Sequence, residues 1–278
     1  MGIETLYDLP LAGSRRLPER LAERYDGDLV FQSAGNRPYV IGNFVTTVDG
    51  VASYGIPGKS GGGVVSGFNK DDQFIMALLR VCADAVMIGS GTLHGDSGHV
   101  RTPEFIYPEL REEFRAFRSG LGKPPYPLNV VLTRSGRIDL HEATFHTEDL
   151  STAIMTTHAG AERLERAHGA ALGHTTVRSV GETDVAPGTV LDVLAEEFGA
   201  GLVLHEGGPH AFGEFLAAGV IDEVFLTLAP QVAGRRNDRS RPSLAGETMF
   251  LPETAPRLRL LSLKRGADHL FLRYRLKS

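Results

Sequence analysis

A series of short runs rich in aliphatic and β-branched residues, at 39–45, 85–88, 129–133, 153–157, 176–180, 202–205 and 223–228, alternates with helix-forming stretches. Runs of this length, bounded by glycine and polar turns, read as strands buried on both faces, and the intervening segments carry helical periodicity. In residues 72–83 the apolar positions Phe74, Ile75, Leu78, Leu79 and Cys82 form one stripe, and further helices are predicted at 109–118, 162–168, 190–198 and 211–218. Such alternation constrains the chain to an α/β fold with a mainly parallel central sheet and helices on its flanks. The end departs from the pattern, because 258–263 and 269–276 flank Lys264, Arg265, Gly266, Ala267 and Asp268 and predict an antiparallel hairpin at the sheet edge. Residues 1–36 read as an N-terminal arm with a short surface helix, and 37–278 as the main domain.

With 278 residues, 42% of them hydrophobic and 23% charged, the chain can bury a sizeable core. A net charge of −5 argues against a general nucleic-acid surface or an anionic membrane surface, and so for a small-molecule partner. The first residues lack a basic segment followed by an apolar one, and no stretch reaches the ~18 apolar residues of a membrane span, so a cytoplasmic protein is expected. The single cysteine, Cys82, falls in the apolar stripe and reads as a core residue. His94, Asp96 and His99 lie in a glycine-containing loop without metal-ligand spacing, and no metal is expected. Arg235, Arg236, Arg239 and Arg241 read as a solvated loop.

Three turns fall where predicted parallel strands end: Gly89-Ser90-Gly91-Thr92, Thr133-Arg134-Ser135-Gly136-Arg137, and Glu206-Gly207-Gly208-Pro209. In an open α/β sheet such ends share one rim, where ligands bind. The last turn runs into a helix, whose unpaired N–H groups and positive dipole end suit a phosphate, while Glu206 sets a carboxylate beside it. Arg134, Ser135 and Arg137 suit a further phosphate through charge-assisted hydrogen bonds. Together these features point to a 2′-phosphorylated dinucleotide. Neither a Rossmann fingerprint nor a P-loop is present.

The ordered set Asn43-Phe44-Val45-Thr46-Thr47-Val48-Asp49-Gly50, Leu78-Leu79-Arg80, the run 83–92 with Asp96, Glu206-Gly207-Gly208-Pro209, and Val220-Ile221-Asp222-Glu223 with Ala229-Pro230 resembles the reductase domain of bacterial riboflavin biosynthesis. That family looks like dihydrofolate reductase in fold. The resemblance implies NADPH as cofactor and activity on a pyrimidine- or pteridine-like heterocycle, as in 5-amino-6-(5-phosphoribosylamino)uracil reductase. It implies Thr46 at the nicotinamide end, Thr92 and Asp96 near the cofactor, and Gly207 and Gly208 on the pyrophosphate, with Pro209, His210, Ala211 and Phe212 at the following helix start. It also implies Arg134 and Ser135 on the 2′-phosphate, and Glu206, Asn43 and Arg80 on the substrate side. Asp72 occupies the helix start where such enzymes set a carboxylate against the substrate ring, so Asp72 and Glu206 are the catalytic candidates.

Riboflavin-pathway reductases usually carry lysine where this chain has Asn43, which hydrogen-bonds but brings no charge. Two alternatives therefore stay open: a dihydrofolate reductase-like activity and a non-catalytic NADPH-binding sensor. Asp72 also has a purely structural role available, as a first-turn acid complementing the helix dipole. A homodimer is expected from the resemblance and from the strand edge that the terminal hairpin would leave open.

Overall fold

The computed structural model describes residues 2–11, 16–56, 58–59, 61–236 and 241–277. Ten strands form one sheet: β1 (Glu4–Asp8), β2 (Tyr39–Thr47), β3 (Ala85–Gly89), β4 (Leu128–Thr133), β5 (Thr152–Thr156), β6 (Thr176–Ser179), β7 (Leu202–His205), β8 (Glu223–Ala229), β9 (Leu258–Gly266) and β10 (His269–Leu276). Their spatial order is β1-β9-β10-β8-β2-β7-β3-β4-β5-β6. From β8 through β6 every neighbouring pair is parallel, whereas β10, β9 and β1 add on antiparallel. The mainly parallel sheet and the terminal hairpin thus match the sequence expectation.

The helices are α1 (Glu19–Tyr25), α2 (Gly62–Ser66), α3 (Lys70–Cys82), α4 (Ser90–Gly95), α5 (Pro103–Ile106), α6 (Arg111–Gly120), α7 (His158–His168), α8 (Pro187–Glu196) and α9 (Pro209–Ala217). One core packs α1, α3 and α6 against the sheet, with Leu21, Phe74, Leu78, Leu79 and Phe114 fully buried. A second lies between the sheet and α8 and α9, around Val190, Leu194, Phe212 and Phe215. At about 1.5–3 kcal/mol for each fully buried large aliphatic side chain, these two cores hold the helices against the sheet. Cys82 belongs to the first, where burial pushes its thiol up to about 11, as befits a packed and unreactive residue.

The N-terminal segment differs from the surface arm expected. Leu17, Leu21 and Tyr25 recur every four residues and form one buried face of the first core, and β1 pairs with β9. The hairpin edge expected to stand open is therefore covered from within the chain. Lys264, itself buried, donates from Nζ to Thr5 Oγ1 (2.6 Å) and to the Asp26 carbonyl (2.9 Å), tying β9 to this segment.

Two ionic devices, a buried one at Glu223 and a half-buried one at Asp222, tie the strands together. Glu223 on β8 accepts from Tyr39 Oη (2.8 Å), Arg273 Nε (2.8 Å) and Arg275 Nη2 (2.9 Å), and Asp222 pairs with both terminal nitrogens of Arg37. Near the C-terminal hairpin, Arg235 donates to the Gly50 carbonyl and Arg241 to the carbonyls of Ala233 and Gly234, while Arg239 lies outside the described residues. Asp49 closes its own turn, accepting from Thr47 Oγ1 and from the backbone of Ala233 and Gly234.

Candidate active site

β7, β3 and β4 are neighbours in the sheet, and parallel pairing brings their C-terminal ends to one rim. The turns that follow them open onto a single cavity of about 860 Å³. Gly89, Ser90, Gly91 and Thr92 enter from β3, Thr133 and Arg134 from β4, and Glu206, Gly207 and Gly208 from β7. Backbone bonds lock the turns to one another, with Glu206 N donating to the Met87 carbonyl and Gly89 N to the Gly207 carbonyl, both at 2.9 Å.

Glycine is required here by contact as well as conformation. Gly207 has φ +118°, and a Cβ on Gly208 would lie 3.0 Å from Thr92 Oγ1. A Cβ on Gly91 would meet no protein atom within 4 Å, so its backbone faces open space. Pro209, His210 and Ala211 of the α9 start line the same cavity, and the first-turn N–H groups of His210 and Ala211 find no acceptor within the helix. This glycine cradle, with a helix N-terminus beside it and Arg134 at its end, has the donor set that a pyrophosphate-linked dinucleotide needs.

The opposite wall is ionic. Arg80 on α3 meets Glu206 in a two-point pair, Nε to Oε1 at 2.8 Å and Nη2 to Oε2 at 2.7 Å. Arg80 also donates through Nη1 to the Thr102 carbonyl (3.1 Å) and stands 3.1 Å from His99 Nε2. Arg80 can only donate, so His99 Nε2 accepts and its Nδ1 carries the proton, 3.1 Å from Asp96 Oδ2. Burial, with the nearby Arg80 and Arg101 charges, holds the His99 pKa below its usual value in spite of Asp96. Arg101, also on the wall, completes the chain at 3.3 Å from Asp96. Burial alone would raise the Asp96 carboxyl, but the His99 hydrogen bond and the Arg101 and Arg80 charges outweigh it and lower it.

Arg118 on α6 fixes the position of this wall. Its Nη1 donates to the carbonyls of Arg80, Val81 and Ala83, satisfying the last turn of α3. Desolvation lowers its pKa to about 10, which still leaves it charged at neutral pH.

Asp72 projects into the cavity from the first turn of α3, whose N-cap is Asn69, accepting from the backbone of Asp71 and Asp72. The carboxylate is 5% exposed and accepts from Thr227 Oγ1 at 2.6 Å. Desolvation pushes its pKa up, and the Thr227 and Ser66 hydroxyls offset only part of that. Behind it, His269 accepts at Nδ1 from Asn69 Nδ2 (3.1 Å) and donates from Nε2 to the Ser66 carbonyl (2.9 Å).

Asn43, Arg80, Asp72 and Glu206 therefore share one cavity with Thr92, Asp96, Arg134, Gly207, Gly208 and the α9 start. Three candidates do not reach it. Thr46 is buried on β2 opposite Leu228, and Ser135 is an exposed turn residue whose Oγ accepts from Arg137 N at 3.3 Å. Phe212 faces inward from α9, its ring centroid 4.5 Å from that of Phe44 and 5.4 Å from that of His205. Gly42 leaves room for that ring, since a Cβ there would lie 2.4 Å from Phe212 Cε2. Sequence reasoning set His99 aside and overlooked Arg101. The Asp96/His99 spacing of three residues was the one local signal available, because their link to Arg80 is tertiary.

A family model described as RibD C-terminal domain matches residues 38–272. Among solved structures, a pyrimidine reductase-like protein from Corynebacterium diphtheriae is 22% identical, with 87% of this chain and 92% of that one covered at a TM-score of 0.66. RibD from Acinetobacter baumannii is 20% identical, with 88% of this chain but 60% of that one covered at a TM-score of 0.67. The riboflavin biosynthesis reductase of Saccharomyces cerevisiae is 14% identical, with 89% and 93% covered at a TM-score of 0.59. No curated protein sequence matches. The structural likenesses carry the fold, and the family model, spanning most of the polypeptide, places this chain in the RibD C-terminal domain family.

Proposed function

We propose that the chain is an NADPH-dependent reductase acting on a C=N or C=O bond of a pyrimidine- or pteridine-like heterocycle. The observation that carries this reading is the convergence of the three strand-end turns on one cavity whose other wall holds Asp72 and the Arg80–Glu206 pair. NADPH would supply the hydride. The chain's own part is alignment: Gly207, Gly208 and the α9 start would hold the pyrophosphate and Arg134 the adenosine end. The Asp72 carboxyl, its proton affinity raised by burial, would anchor a ring nitrogen and hold the proton that accompanies reduction. Glu206, held still by Arg80, would orient the ring from the other side. Asn43 would meet the substrate by hydrogen bonding without adding charge.

An uncharged Asn43 beside a buried Asp72 also favours a dihydrofolate reductase-like activity. Consumption of NADPH with dihydrofolate and with 5-amino-6-(5-phosphoribosylamino)uracil, followed by absorbance, separates the two. Tight NADPH binding with turnover of neither substrate supports the sensor module, and absence of any thermal stabilisation by NADPH removes all three readings. A cytoplasmic homodimer completes the proposal on the family resemblance alone, because β1 covers the hairpin edge that was to call for a partner. Among the described residues no helix is long and apolar enough to cross a membrane. Sedimentation at micromolar concentration tests the dimer.

A further inference from the structure

Resting on the dinucleotide reading, we infer that Glu214 sets how well this chain tells a 2′-phosphorylated dinucleotide from one with a free 2′-hydroxyl, and that it holds this discrimination low. Arg134, at the end of β4, is shared between two carboxylates: its Nη2 lies 3.0 Å from Glu214 Oε1 and its Nε 2.9 Å from Asp184 Oδ1. Arg134 and Glu214 both line the cavity, so an adenosine ribose placed at the guanidinium also meets the carboxylate. The two chemistries pull apart. A 2′-phosphate carries nearly two negative charges and needs a cation, whereas a free 2′-hydroxyl is a donor that a carboxylate accepts. Rossmann folds make the same choice at the ribose with either an acid or a nearby arginine. Here both are present.

Ser135, the residue expected to add a neutral donor to a phosphate, does not line the cavity, and its Oγ accepts from Arg137 N. The Arg134 side chain is 61% exposed and that of Glu214 45%, so their pairing is weak and an arriving phosphate can recruit the guanidinium. The carboxylate remains within reach of that phosphate and repels it. The unphosphorylated cofactor suffers no such repulsion and gains an acceptor.

The test is calorimetric binding of NADPH, NADH, adenosine 2′,5′-bisphosphate and ADP to the full chain, in wild type, Glu214→Gln and Arg134→Ala, with melting curves as the folding control. Wild type is expected to bind NADPH and NADH within about tenfold of each other, and Glu214→Gln to tighten NADPH and adenosine 2′,5′-bisphosphate about three- to tenfold while NADH and ADP hold or weaken. Arg134→Ala is expected to weaken NADPH about tenfold and spare NADH. A Glu214→Gln variant that leaves the NADPH-to-NADH ratio unchanged, or a wild-type preference for NADPH beyond about a hundredfold, overturns the role of Glu214 while leaving the dinucleotide reading intact. If wild type binds none of the four probes, the dinucleotide reading falls and takes this one with it.

Discussion

Arg80 and Glu206 form a two-point ion pair with side chains only 2% and 6% exposed, although 126 residues separate them in sequence. Removing one member leaves the other charged in a low-dielectric wall, a cost of about 3–5 kcal/mol, whereas replacing both by apolar groups of similar volume costs far less. Glu206→Ala is therefore expected to lose about 3 kcal/mol in urea unfolding. The double variant Arg80→Met with Glu206→Leu should recover much of that loss and yet be inactive. A double-variant loss equal to the sum of the losses of Arg80→Met and Glu206→Leu made singly would show that the pair is not coupled.

Asp72 is buried against its own ionisation. Its native pKa stands above that of the unfolded chain, so ionised Asp72 opposes folding once the pH rises past the unfolded value, and more so toward and above the native one. Asp72→Asn is expected to melt higher than wild type at neutral pH, with the difference closing as the pH falls below the ordinary aspartate pKa of about 3.9, where the carboxyl is neutral in both the native and the unfolded chain. Activity should fall about a hundredfold or more if the carboxyl handles the proton. A variant that is both less stable at neutral pH and fully active would refute the assignment.

Gly91 faces open cavity, and within α4 alanine is the better helix former by about 1 kcal/mol. Gly91→Ala should keep or raise the melting temperature while weakening NADPH binding about tenfold, since the new methyl occupies space the cofactor needs. Gly42→Ala is the contrasting control. Its methyl would collide with Phe212, and the expected result is a loss of stability.

His205 is fully buried beneath the Gly207 turn, its Nδ1 accepting from Gly207 N at 3.2 Å, and desolvation lowers its pKa to about 3. The unfolded chain takes up this proton near pH 6.5 and the native one only near pH 3. The stability His205 contributes is complete above pH 6.5 and drains away as the pH falls through that window. His205→Leu should flatten the loss of urea stability between pH 7 and pH 4.5. It should also loosen NADPH binding, because the Gly207 amide then lacks its acceptor. An unchanged pH slope would exclude His205 as the source.

Much of the fold was legible because it is written in local periodicity. The runs at 202–205 and 223–228 became β7 and β8 within a residue, and the stripe through Phe74, Leu78 and Cys82 became α3. β1 was missed because its five residues carry little pattern of their own, and its partner β9 lies some 260 positions away. The glycine turns at Gly89 and Gly207 were visible as strand ends, which by themselves imply a common rim.

Which side chains occupy that rim was settled elsewhere. Phe212 and Thr46 stand next to lining residues in sequence yet are buried away from the cavity lining, Phe212 against Phe44, because orientation follows from what packs across the sheet. The sequence by itself determined the alternating elements, the hairpin and the turns, since backbone sterics and apolar period act over a few residues. Only the tertiary structure decided that Arg118 caps α3, that Glu206 seizes Arg80, and that Glu214 shares Arg134. Those are contacts between segments remote in the chain, and for the buried ones, at Arg80 and Arg118, the energy exists only once burial has removed the competing water.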